Sequence, residues 1–390
     1  MHTAVPESSP SVGETNVRSF GILSTFPPTS CGIATFSAAL AAGLIGEGAS
    51  VDVVRCGPRP EVEDVLVVAS LADRTDQRHR RATDALNRND LVIVQHEYGL
   101  YDGADGESVI DLIDSIDAPI MVVAHTVLTE PTANQRRVLE AVCSGAEAIV
   151  VMTETAQMRL LAGYDVDGAR VIVIPHGAAT PLAAPSASQS RVGAPPRLLT
   201  WGLLGPGKGI EWAIDALAEL SDIDPHPEYV VAGATHPKVR ERHGEAYRKM
   251  LVARAEIAGV DVTFDDTYRD LISLTELIQS ADLVVLPYDS KDQVTSGVLV
   301  DAVAAGRPVV STAFPHAVEL LASGAGIVVP QRDPSMLGEA IRAVLTEPGL
   351  AASMEAEARR LAPGLAWSAV ARRYVELADL VVASRRSVPS

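Results

Sequence analysis

Short runs of apolar residues recur along the chain and alternate with longer stretches whose apolar positions return every three or four residues. The first pattern predicts buried strands and the second amphipathic helices. In the first half the predicted strands are Arg18–Ser24, Ser50–Arg55, Val65–Ala69, Asp90–Gln95, Pro119–Ala124, Ala148–Met152 and Arg170–Ile174. Helices such as Ala34–Leu44, Asp105–Ile116 and Gln135–Cys143 fall between them. Strands that are apolar throughout and separated by helices belong to a parallel sheet covered on both faces. The rhythm breaks at Ala178–Pro196, which is rich in Ala, Pro and Ser and has no apolar period, as a linker would. It then restarts, with strands Arg197–Trp201, Tyr229–Ala232, Asp261–Phe264, Leu283–Leu286 and Pro308–Ser311. Between these come helices Ile210–Leu220, Glu245–Ile257, Leu271–Gln279 and Gly297–Ala305. Two Rossmann-like, doubly wound α/β domains are expected.

The expected divisions are a disordered leader 1–16, a first domain 17–180, a linker 181–196, a second domain 197–365 and a closing helix 366–386. In that last helix Val370, Tyr374, Leu377 and Val381 form one apolar stripe, and no strand follows. The stripe needs a partner, and a strap across the two domains is one solution.

Charge narrows the possible partners. Lys and Arg number 32 and Asp and Glu 50, so the net charge is 32 − 50 = −18. Such a field repels nucleic acid and anionic lipid, although a local basic pocket still suits a small phosphate-bearing ligand. Cys31, Cys56 and Cys143 form no CxxC, and their odd count suits a reducing compartment. No run reaches the roughly 18 apolar residues of a membrane span, and the polar leader does not read as a signal peptide. A soluble cytoplasmic protein with no integral membrane segment is expected.

The most informative stretch is Gln293–Val310, QVTSGVLVDAVAAGRPVV. A polar loop leaves a strand and enters a helix, so free N–H groups point outward at the carboxyl edge of the sheet. Thr295, Ser296 and Gly297 are small enough for a phosphate to approach those amides, and Asp301 lies one turn on, placed to accept from a ribose diol. A plain N-cap role explains Ser296 equally well. Lys208, in the glycine-rich LLGPGKGIE, is either a phosphate ligand or a surface lysine near a helix start. Gly32 follows the first strand in the same manner, without a GxGxxG fingerprint. His96, Glu97, His125 and His176 follow strands and would face a crevice between domains. Asp165-x-Asp167 and Asp222-x-Asp224 have the spacing of a metal-binding pair but sit in turns, so no metal site is expected. HExxH, P-loop and GxSxG motifs are missing from the sequence.

Together these residues resemble the retaining GT-B glycosyltransferases of family four, the group 1 type, over almost the whole chain. SCGIATFSAAL looks like the family's Gly-Gly loop, with Cys31 for the first glycine and Gly32 for the second. His125 in AHTV matches the histidine beside the transferred sugar, and IPHG at Ile174–Gly177 matches the strand end before the linker. WGLLGPGKGIE, from Trp201 through Gly202 and Lys208, resembles the stretch that grips the diphosphate. AGATHP, with Gly233, stands at the following glycine loop. Asp266, Thr267 and Tyr268 fall where the backbone meets the nucleobase. AWSAVARRY, with Trp367, is like the closing helix that crosses back. Two positions depart from the pattern: Leu203 replaces an arginine, and the paired glutamates become Gln293 and Asp301.

The resemblance implies transfer of a hexose, with retention, from a nucleotide diphosphate sugar to a soluble oligosaccharide or glycoside. No metal or other cofactor is implied. GDP-mannose is the favoured donor, with UDP-glucose as the alternative, and a nucleotide-sugar-binding regulator without catalysis as a further one. His125, Lys208 and Asp301 take the catalytic roles. Gly32, Gly202, Gly233, Thr267, Tyr268, Gln293, Thr295, Ser296, Gly297 and Val298 complete the donor site. His96, Glu97 and Tyr98 lie on the acceptor side.

Overall fold

The computed structural model describes residues 17–29, 31–57, 64–71, 76–179, 194–267 and 269–387. The expected leader, most of the expected linker and Tyr268 lie outside the described residues. The first half runs β1 (Ser19–Ser24), α1 (Gly32–Gly46), β2 (Ser50–Arg55), β3 (Val67–Ser70), α2 (Asp76–Leu86), β4 (Leu91–His96) and α3 (Ser108–Ile113). It continues with β5 (Ile120–Ala124), α4 (Ala133–Ser144), β6 (Ala148–Val151), α5 (Glu154–Gly163) and β7 (Val171–Val173). The second half runs β8 (Arg197–Trp201), α6 (Ile210–Ala218), β9 (Glu228–Ala232), α7 (Pro237–His243), α8 (Ala246–Ala258), β10 (Val262–Asp265) and α9 (Leu271–Ser280). Then come β11 (Leu283–Leu286), α10 (Gly297–Ala304), β12 (Val309–Thr312), α11 (Pro315–Leu320), β13 (Gly326–Val329), α12 (Pro334–Thr346), α13 (Leu350–Leu365) and α14 (Trp367–Arg386).

All paired strands are parallel, in a seven-stranded sheet ordered β3-β2-β1-β4-β5-β6-β7 and a six-stranded sheet ordered β10-β9-β8-β11-β12-β13. Strand order reverses between β1 and β4 and again between β8 and β11. Loops leaving the carboxyl ends at such a reversal part to opposite faces and open a crevice. Four loops therefore matter most: those after β1, β4, β8 and β11. They hold Gly32, Glu97, Lys208 and Ser296 respectively.

Apolar cores lie on both faces of each sheet. Helix α14 belongs to the first sheet's core although it follows the second sheet in sequence. Its Val370, Ala371, Tyr374 and Val381 pack with Phe36, Leu40 and Leu44 of α1. The helices meet closely at Gly43, where a Cβ would stand 2.8 Å from that of Ala371. The chain crosses between the halves at two adjacent points, because Ala178 donates to Leu365 O at 2.7 Å and accepts from Trp367 N at 3.2 Å.

Some elements differ from the sequence reading. Val65 is 93% exposed and outside β3, which starts at Val67. The helix expected over Asp105–Ile116 is interrupted by Asp105 at φ 55, and only Ser108–Ile113 is α-helical. Beyond Ser311 the apolar pattern names no element before the closing helix, whereas the structure forms α11, β13, α12 and α13.

Candidate active site

The loop after β11 is built to leave amides unclaimed. Ser296 N-caps α10, its Oγ accepting from Leu299 N at 3.3 Å. Its own N–H is not free for a phosphate, because it donates to His316 Nδ1 at 2.8 Å. This corrects the expectation that every amide from Thr295 to Val298 faces the ligand. Gly297 and Val298 remain as the first two helical N–H groups, and Thr295 Oγ1 is buried without a partner. The His316 backbone also donates to Gln293 O at 3.4 Å, so α11 clamps both ends of the loop.

Asp301 lies one turn beyond Gly297 on α10, about 6 Å along the axis, and faces Leu271, Leu274 and Thr275 of α9 across a narrow cleft. Burial raises its carboxyl to about 7. Helix α9 opens just after Thr267, which is exposed and donates its N–H to Asp265 Oδ1 at 2.9 Å.

Lys208 sits in the neighbouring loop with its Nζ 4.4 Å from the ring centre of Tyr288. This loop needs glycine. Gly209 has φ +63, and a Cβ there would overlap the carbonyl of Pro287. Gly233, with φ +150, is pressed against the carbonyl of Gly202 in the same way. Lys238, at the start of α7, approaches from the same domain, and both lysines act on His236, depressing its pKa after burial does so first. Both ammonium groups therefore lie close enough to His236 to act on it electrostatically. Lys238 also reaches the first domain, where a Cβ on Gly99 would stand 2.7 Å from its Nζ.

On the first-domain side, His125 and His176 stand edge-on to Phe36, with ring centres 4.9 and 5.0 Å away. His125 Nε2 donates to Gln95 Oε1 at 2.6 Å, leaving Nδ1 as a lone pair. His176 Nδ1 donates to Gly177 O at 2.6 Å, leaving Nε2 as the acceptor. Burial holds His125 to about 3 and His176 to about 4, so both rings are neutral at pH 7. Glu97 accepts from Thr126 Oγ1 at 2.5 Å and from Tyr98 N at 2.9 Å. Its carboxyl is raised by burial, against those hydrogen bonds and the pull of Lys238.

The domains meet at Gly297, where a Cβ would be 2.9 Å from His176 Nε2. Thr153 donates to Val294 O at 3.1 Å, and Thr129 Oγ1 to Asp292 Oδ1 at 2.8 Å, beside this contact. Of the residues expected from sequence, His125, Glu97, Lys208 and Ser296–Val298 border this crevice, with Asp301 on its flank. Gly32 begins α1 with open space in front of it. His96 is a correction. It ends β4 instead of opening the loop, so strand alternation places it on the face opposite Gln95, 1% exposed and against Tyr98 with ring centres 5.2 Å apart. Gln95 takes the place on His125. Gln95, His316 and Lys238 were invisible to motif reading, and strand alternation could have found only the first. The aspartate pairs have other partners: Asp222 binds Arg342 and Asp167 binds Arg170. No cluster of metal-ligating side chains occurs among the described residues. None of the described helices is long and apolar enough to cross a membrane.

Residues 195–347 match the family model described as Glycosyl transferases group 1. The D-inositol 3-phosphate glycosyltransferase of Kineococcus radiotolerans is 28% identical, over 87% of this chain and 82% of that protein. Its counterpart in Corynebacterium efficiens is 26% identical, over 66% of this chain and 65% of its own length. Among solved structures, sucrose-phosphate synthase from Thermosynechococcus elongatus shares the fold with a TM-score of 0.75 at 18% identity, covering 94% of this chain and all of that one (100%). HepE from Anabaena, in complex with UDP and glucose, has a TM-score of 0.71 at 15% identity, covering 92% and 99%. Residues 195–347 thus match the group 1 glycosyltransferases, and the chain has the two-domain GT-B fold of the solved glycosyltransferases it resembles.

Proposed function

We propose that the chain transfers a hexosyl group from a nucleoside diphosphate sugar to a hydroxyl of a small saccharide or polyol, with retention at the anomeric carbon. The observation that carries this reading is the meeting of the α10 N-terminus with His176 at Gly297. An anion-binding helix end there faces a neutral, polar pocket across the crevice. The bond between the anomeric carbon and the β-phosphate oxygen breaks as the acceptor oxygen attacks from the same face. The acceptor proton passes to the departing phosphate oxygen. Lys208, the Gly297 and Val298 amides and Lys238 stabilise the developing charge. Neutral His125 holds a sugar hydroxyl through Nδ1, and Asp301 holds the ribose diol. The reaction as proposed assigns no step to a metal, so turnover should survive EDTA; its loss and rescue by a divalent cation would refute this.

GDP-mannose remains the favoured donor by family resemblance. UDP-glucose is the second reading, because HepE, whose complexes hold UDP and glucose, has a similar fold. The test is a thermal-shift panel of GDP-, UDP- and ADP-sugars, followed by nucleotide release with acceptors. D-inositol 3-phosphate joins neutral oligosaccharides in that acceptor set because curated relatives carry its name. A donor at 100 times its dissociation constant stabilises by about 2.7 kcal/mol. Binding without nucleotide release across the whole acceptor set would favour a non-catalytic regulator, for which Gln293 in place of a glutamate is the pointer.

A further inference from the structure

Arg55 ends β2 and is 2% exposed. Its Nη2 donates to Thr29 Oγ1 at 2.7 Å, while Nε and Nη1 are buried with no hydrogen-bond partner. No carboxylate pairs with it among the described residues. A guanidinium does not escape burial by losing its proton at neutral pH. A charge withdrawn from water and left without a counter-ion is destabilising until an anion completes it. Arg307, also buried, likewise has an Nε without a partner, but its Nη1 donates to the Ala281 carbonyl at the amino edge of the other sheet, away from the crevice.

Strand register shows what Arg55 accompanies. Ser24 of β1 pairs with Arg55, and Leu23 pairs with Val94, which brings Gln95 beside Ser24. Arg55, Ser24 and Gln95 therefore form one row on the face covered by α1. Ser24 is already engaged by Ser37 at 2.7 Å, but Gln95 Nε2 is buried without a partner. Unclaimed donors thus stand at both ends of a row spanning two strand spacings, about 10 Å. The Gln95 end adjoins His125, and the Arg55 end lies under Thr29 of the loop after β1.

We propose that Arg55 is an anion subsite for the acceptor. The phosphoryl group of a phosphorylated sugar or polyol occupies the Nε and Nη1 donors, while the acceptor hydroxyl reaches the His125 end of the row. The acceptor role rests on the glycosyl-transfer reading above; the anion site does not.

The first arm titrates inorganic phosphate into the full chain with the donor site filled by a nucleoside diphosphate. The melting temperature of the wild type should rise and that of Arg55→Gln should not. No rise in the wild type, or an equal rise in the variant, overturns the site. The second arm compares kcat/KM for matched acceptors, glucose with glucose 6-phosphate and inositol with inositol 3-phosphate, using a donor shown to bind. The wild type should prefer the phosphorylated member by on the order of tenfold or more. That ratio should collapse in Arg55→Gln and survive in part in Arg55→Lys, with the donor-induced melting shift unchanged in both. A preference that persists in Arg55→Gln, or a wild type with none, overturns the acceptor assignment. A wild type that binds no donor refutes the glycosyl-transfer reading instead, and the phosphate arm still decides the site. If Arg55→Gln does not fold, Arg55→Lys and the wild-type measurements carry the same decisions.

Discussion

Burial alone raises the Asp301 carboxyl from 3.8 to about 7, with no cation offsetting it. Between those values the folded chain binds a proton that the unfolded chain does not, so this contribution to stability falls as pH rises through the window. A ribose diol donates hydrogen bonds, and the ionised carboxylate accepts them best. Donor affinity should therefore climb between pH 5.5 and 7 and level off above, by up to roughly tenfold per pH unit on the acid side. Calorimetric titration of the donor across that range checks it, and Asp301→Asn should flatten the curve. Lys208→Ala removes a charge from the diphosphate position and should weaken donor binding by at least about tenfold, a charge-assisted bond being worth roughly 1.5–3 kcal/mol. Leu203→Arg asks the converse question. If Lys238 already fills the role of the missing arginine, the added cation tightens donor binding little in the wild type and much more in Lys238→Ala.

Helix α10 depends on neighbours that its own sequence does not announce. His316→Ala leaves the Ser296 N–H without its acceptor in a buried place, at a cost of roughly 1–3 kcal/mol. Melting temperature and donor affinity should fall together, since the loop loses its clamp. Gly297→Ala drives a methyl group to 2.9 Å from His176 Nε2 and should reduce turnover more than folding stability; unchanged turnover would remove this contact from the active arrangement. These elements also mark how much was legible in the sequence. The alternation of strands and helices, the small residues at 295–297 and the glycine-rich turn before α6 follow from local requirements. Local patterns therefore reveal them. By its pattern His96 is a loop residue facing the crevice, but it is the last residue of β4, where strand alternation puts it on the face opposite Gln95. His316 and Lys238 act through tertiary neighbours and fit no spacing rule. The amide of Ser296 was expected to be free, and its acceptor lies twenty residues away on α11.

At the scale of the molecule, four buried histidines set the response to acid. Burial holds His96 and His176 to about 4, and His125 and His316 to about 3. An unfolded chain takes up those protons from about pH 6.5 downward. The stability they contribute is present above that value and is lost as pH falls toward 4. Melting temperature should drop steeply between pH 6.5 and 5, despite the opposing contribution of Asp301. His125→Gln should lessen the slope, and a melting temperature that stays level over this range would show that these rings are already charged in the fold. The two adjacent crossings between the halves have a further consequence, one of timing. The apolar side of α1 bearing Phe36, Leu40 and Leu44 packs against α14, which follows the second sheet in sequence. During translation the earlier half must hold that apolar face open until the later half has been made, which reverses the usual order in which N-terminal domains finish first. Chains halted before residue 366 should therefore be the species that chaperones hold, and the twenty residues of α14 the signal for their release.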